Sequence, residues 1–138
     1  KDALVDMYIR GIDFCLEHDY PSNDFIRENF KGVMEKHGVF LDDTIALQDQ
    51  SKCIALGTTN GKVTATGYSV SEVWTKHDSA LNIVAKDNAF VMVDVYDNAV
   101  VNVIASDRAK VCVNHHGGKV IQKATGDAVV KIREKSNK

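Results

Sequence analysis

The residues best suited to chemistry are Cys112, His115 and His116, since thiolate and imidazole together make a zinc ligand set. Their setting, KVCVNHH, alternates apolar and polar residues as a strand does, so neighbouring side chains point to opposite faces. His115 and His116 therefore diverge. Cys112 and His116 share a face but stand about 13 Å apart at roughly 3.3 Å per residue. One zinc ion needs all its ligands at about 2.0–2.3 Å, so the sequence predicts no metal and no cofactor. Asp87, Asp97 and Asp107 form a second candidate, a carboxylate row of the kind used for calcium or polysaccharide hydrolysis. The interleaved GGxGxD of calcium-binding repeats is absent. Glycoside hydrolysis needs two carboxylates about 5–9.5 Å apart across a cleft, whereas Asp and Asn recur wherever a chain turns tightly. GTTNGKVT around Lys62 lacks the spacing of a phosphate loop, and neither GxSxG nor HExxH occurs. Cys15 falls on an apolar helical face, as a core thiol would. His18, His37 and His77 fall at helix ends or a turn. No enzyme signature survives, and a non-enzyme is predicted.

The elements that position these residues come in two textures. Residues 1–44 read as a helical hairpin. Leu4, Met7, Tyr8, Gly11, Ile12, Cys15 and Leu16 recur at helical intervals, and the first helix ends before Pro21. Ser22 or Asn23 caps a second helix that buries Phe25, Ile26, Phe30, Val33 and Met34, and Gly38 stops it. Residues 45–138 read as β. They contain no proline, so every later N–H is free for a ladder. From Asp78 the chain repeats: DSALNIVAK, DNAFVMVDVY, DNAVVNVIAS, DRAKVCVNHH, GGKVIQKAT, GDAVVKI, with starts spaced by 9, 10, 10, 10 and 9 residues. An even period keeps one parity inward: Ala89, Val91, Val93 and Val95, then Ala99, Val101, Val103 and Ala105, then Ala109, Val111 and Val113. Counting back in the nine-residue units puts Leu81, Ile83, Ala85, Val120, Gln122 and Ala124 inward too.

Seven extended residues and a corner allow an antiparallel β-meander packed on two helices, or a β-solenoid in which two units make one coil of about 20 residues. Identical corners favour stacked coils. The expected fold is therefore mainly β, a short β-solenoid with an N-terminal helical hairpin cap. Val91 should stack on Val111, Val93 on Val113, and Val101 on Ile121 or Val120. Residues 54–77 add one irregular coil. DNAFVMVDVY and DNAVVNVIAS resemble β-helical proteins of bacteria and phages built from Asp/Gly-Asn-Ala-x-Val units, over about 55 residues. That resemblance implies a β-helix serving as spacer, adhesion module or interaction surface. The run is too short for a long shaft.

The opposite parity in these units is not uniformly polar. Phe90, Met92 and Tyr96 in one unit and Val100 and Ile104 in the next, after Val84, suggest an apolar outer patch. It is covered by the helices, by a second copy, or by an external partner anchored on Phe90, Tyr96 and Trp74. With 17 Lys and Arg against 19 Asp and Glu, the net charge of -2 points to neither nucleic acid nor an anionic membrane. The three cysteines argue for a reduced, cytoplasmic or phage-associated setting, with secretion open if a leader was trimmed. The function expected is a non-enzymatic structural or protein-interaction module that self-associates through the patch. The alternatives are a carbohydrate-binding or adhesin-like surface module and, third, a polysaccharide hydrolase using Asp87, Asp94 or Asp107.

Overall fold

A computed structural model describes residues 2–135. Three short helices, α1 (Asp2–Arg10), α2 (Ile12–His18) and α3 (Asn23–Asn29), and a 3-10 turn (Met34–His37) precede eleven strands. These are β1 (Val39–Leu41), β2 (Thr44–Gln48), β3 (Lys52–Leu56), β4 (Asn60–Ala65), β5 (Val70–Thr75), β6 (Ala80–Ala85), β7 (Phe90–Val95), β8 (Val100–Ala105), β9 (Lys110–His115), β10 (Lys119–Ala124) and β11 (Val129–Glu134). Odd strands form one sheet and even strands the other, and every pairing is parallel. Consecutive units thus lie in opposite sheets, two to a coil. The molecule is a β-solenoid of about 5 turns with about 20 residues per turn, not a meander.

The register follows the predicted parity. Val91 stacks on Val111, Val93 on Val113, and Val101 on Val120. With Leu81, Ile83, Val103 and the alanines they fill a continuous interior. The repeat also reaches further back than Asp78. Asn60 lies beside Ala80 and Val70 beside Phe90, so residues 54–77 make regular coils rather than an irregular one. The requirement at each corner is a residue in the left-handed region, not the Asp-Asn-Ala triplet. Gly57, Gly67, His77, Asp87, Asp97 and Asp107 all adopt it, which moves the first unit's start from Asp78 to His77. Polar inward residues hid these coils from a reading based on apolarity. Ser71 Oγ donates to the Gln50 carbonyl (2.8 Å) and Thr75 Oγ1 to the Asp94 carbonyl (3.1 Å), so each is satisfied by a neighbouring coil's backbone. The Gly117-Gly118 corner is a different device. A Cβ on Gly118, which has a positive φ, would collide with the Ala99 carbonyl, and the ladder beyond it advances by one residue less.

Two departures concern the helices. Gly11 divides the first helix in two, and its buried stripe is Val5, Tyr8, Ile12 and Leu16, leaving Leu4 and Met7 exposed. Adjacent stripes on a helix lie only about 100° apart, and both here are apolar, so packing on the sheet decides between them. Ser22 caps α3 as expected, its Oγ accepting the Phe25 N–H at 3.2 Å, while Phe25 itself stays exposed. The helices lie against the outer face of the odd sheet. Val39, Leu41, Ile54, Leu56, Trp74 and Tyr96 form one cluster with Ile26, Phe30, Met34 and the α1–α2 stripe. Lys31 also covers the sheet's first edge, its Nζ donating to the Leu41 carbonyl at 2.8 Å. The ladder begins at Val39, earlier than the boundary expected at residue 45.

Candidate interaction surface

The chemistry-bearing residues are engaged in holding coils together. Asp87 Oδ2 accepts the Gly67 N–H (2.9 Å), Asp107 Oδ2 the Asp87 N–H (3.1 Å), and Asp97 Oδ2 the His77 N–H (3.3 Å). Each of these three carboxylates therefore receives an N–H from the coil before it, whereas Asp42 and Asp49 accept theirs, from Thr58 and Thr66, from the coil after. His77 replaces Asp at one corner because its ring serves both layers. Nδ1 accepts the Gly57 N–H at 3.1 Å, which leaves the proton on Nε2 to donate to Asp19 at 2.8 Å, beyond the end of α2. His115 and His116 diverge as the strand geometry requires. His115 bridges Glu134 (2.8 Å) and the Gly118 carbonyl (2.9 Å), and this carbonyl, with the glutamate, raises its pKa. His116 stacks on Tyr96 at 4.2 Å and bonds Asp94 at 2.9 Å, a carboxyl that burial pushes above its ordinary range. Burial pushes the Cys53 thiol up to about 12 and raises that of Cys15, so neither is primed as a nucleophile.

The six residues expected to form one outer patch do not come together. Phe90 and Met92 are on β7 of the odd sheet, whereas Val100 and Ile104 are on β8 of the even sheet, across the interior. Parity identified outward positions correctly, but neighbours in sequence alternate between sheets in a two-strand coil. Trp74 and Tyr96, 7% and 6% exposed, lie beneath the helices and cannot anchor an external partner there. Trp74 Nε1 donates to Asp13 of α2 at 3.3 Å, and the buried Lys76 ammonium lies 5.4 Å above the Tyr96 ring. What remains open on the odd face is a half-covered strip of Phe90, Met92 and Cys112 between the exposed Val70 and Val129.

The even sheet is different. No helical residue belongs to a cluster with its outer side chains among the described residues. Its outward positions align in rows: Ala80, Val100 and Lys119; Lys62, Asn82, Asn102 and Ile121; Thr64, Val84, Ile104 and Lys123. Ile104 and Ile121 are 43% and 47% exposed, and Val84 and Val100 are half-buried. Asn102 Nδ2 donates to Asn82 Oδ1 at 3.3 Å, linking the middle row across two coils. The outward positions of these strands carry Lys62, Lys119 and Lys123 and no carboxylate. This is an aliphatic and amide surface whose only charges are positive. Ile121 was missed, although the parity that turned Val120 inward already turned it outward. No helix of the described residues is long and apolar enough to cross a membrane. No protein-family model, curated protein or solved structure matches the chain.

Proposed function

We propose that this chain is a non-enzymatic structural module that self-associates through the outer face of its even sheet. The observation that carries the reading is the unequal treatment of two equivalent sheets. Helices cover the outer face of one around Ile54, Trp74 and Tyr96, leaving Val70, Phe90 and Val129 beside them, whereas among the described residues no helix packs on the other, which presents Val84, Val100, Ile104 and Ile121. Five strands about 4.8 Å apart and six residues at about 3.3 Å each give a face of roughly 480 Å². Burying one such face against a second surface removes about 1,000 Å² in total, the lower bound for a specific interface. The corner carboxylates already accept backbone N–H groups, and Trp74 and Tyr96 are covered, so no observation favours hydrolysis or sugar stacking.

Mass by light scattering tests this reading. The wild-type should be a multimer, and Val100→Asp/Ile104→Asp should be a monomer with unchanged circular dichroism. Phe90→Asp, on the other sheet, should keep the wild-type mass. A monomeric wild-type, or a multimer indifferent to the double substitution, overturns the proposal.

A further inference from the structure

The helical layer has two sides, and its solvent side is unusual. Between the α1–α2 pair and α3 runs a groove of about 250 Å³ lined by Leu4, Met7, Tyr8, Cys15, Tyr20 and Phe25. Met7 and Tyr20 are 65% and 66% exposed. Residues 2–37 carry eight Asp and Glu against four Lys and Arg, a net of -4. Some of these carboxylates pair within the layer, as Asp6 does with Arg10 and Asp24 with Arg27, but the excess is not neutralised there.

We infer that the surface received by the even sheet is the helical layer of a second copy, so that copies stack front to back. The inference rests on the self-association proposed above and names the face that the even sheet meets. Charge selects this pairing. Two even faces packed on each other would bring six lysines together without a carboxylate at any outward position, which costs rather than gains. The helical layer brings the opposite sign together with apolar side chains. Each even sheet then receives from its neighbour the kind of cover that each odd sheet receives from its own chain. The two surfaces are different and lie on opposite sides of the solenoid, so the contact is heterologous. Such contacts repeat without limit unless a rotation closes them into a ring.

Complementation decides it. Ile104→Asp disables the sheet surface and Met7→Asp the helical surface, and both side chains are exposed enough for the fold to survive. Circular dichroism confirms that survival, with Tyr20→Asp replacing Met7→Asp if the latter is perturbed. Each variant alone should be monomeric. An equimolar mixture should show twice the monomer mass and no more, because each partner keeps one working surface. A wild-type that is a closed dimer, broken by Ile104→Asp but not by either helical substitution, overturns the front-to-back arrangement and leaves the even-sheet interface standing. A monomeric wild-type removes both.

Discussion

An aspartate at a solenoid corner combines two abilities that few side chains share. It tolerates the left-handed region, and its short carboxylate reaches the N–H of the coil before it. The corners are nevertheless unequal. At Asp107 an alanine loses one charge-assisted bond and the tolerance for a positive φ, so Asp107→Ala should cost about 2 kcal/mol. Asp97 also pairs with Lys76 Nζ at 3.0 Å, and that lysine side chain is only 6% exposed. Removing the carboxylate strands a buried ammonium above Tyr96, so Asp97→Ala should cost about 4 kcal/mol. Asn at either position keeps the turn and an acceptor and should recover part of each loss. Urea titrations of the four variants check the ranking. Equal losses at the two corners would show that Lys76 finds another partner.

At the level of elements, β11 adds one side-chain clasp to its six-residue ladder with β9. His115 presents one ring nitrogen to Glu134 of β11 and the other to the Gly118 carbonyl, and both partners are acceptors. The protonated ring satisfies both, and its pKa is raised accordingly. A raised pKa means that the stabilisation is complete below the unfolded histidine range, near about 6.5, and fades as pH climbs through the folded value. Amide hydrogen exchange in β11, corrected for intrinsic rates, should therefore accelerate between mildly acidic and alkaline pH. In His115→Ala this pH dependence should disappear, with exchange at acidic pH raised to the wild-type's alkaline level. The central strands β6 to β8, which neither hold His115 nor pair with β11, should show no such dependence. This clasp was not legible in the sequence, because its two ends come from separate coils. The strands themselves were legible from β6 to β11, where a mainly apolar inward parity recurs with each unit of nine or ten residues. Earlier coils were concealed by Ser71 and Thr75, whose hydroxyls return to backbone, and by His77, which holds the corner one residue before the start expected at Asp78. The helical seam was misread because Leu4–Met7 and Val5–Tyr8 are adjacent apolar stripes. Only the shape of the odd sheet chooses between them.

Across the whole molecule, the inside of the solenoid is one continuous column, apart from the cluster under the helices. Val101 lies between Leu81 and Val120 in its ladder and is fully buried. An unpaired carboxylate there costs several kcal/mol, on the order of a small domain's net stability, so Val101→Asp should unfold the solenoid. Val120, one coil further on, is only half-buried, and Val120→Asp should fray the last coil while the rest melts near the wild-type temperature. Thermal melts followed by far-ultraviolet circular dichroism separate the two outcomes. The outward residues were read correctly one by one. Their grouping was not, since it depends on which sheet each unit joins, and only closure of the coil assigns that.

The even-numbered coil constrains how such a molecule can change its length over generations. Gly67, Asp87 and Asp107 hold the same place on successive turns, so a duplication or deletion of twenty residues from one to the next rejoins equivalent corners. A gene recombining within itself can thus lengthen or shorten this body in whole turns. A gain or loss of ten residues would transfer every later strand to the opposite sheet. Val100 and Ile104 would then fall on the helices' side, and the two surfaces would no longer face opposite ways. The lineage can add or remove whole turns, never half of one.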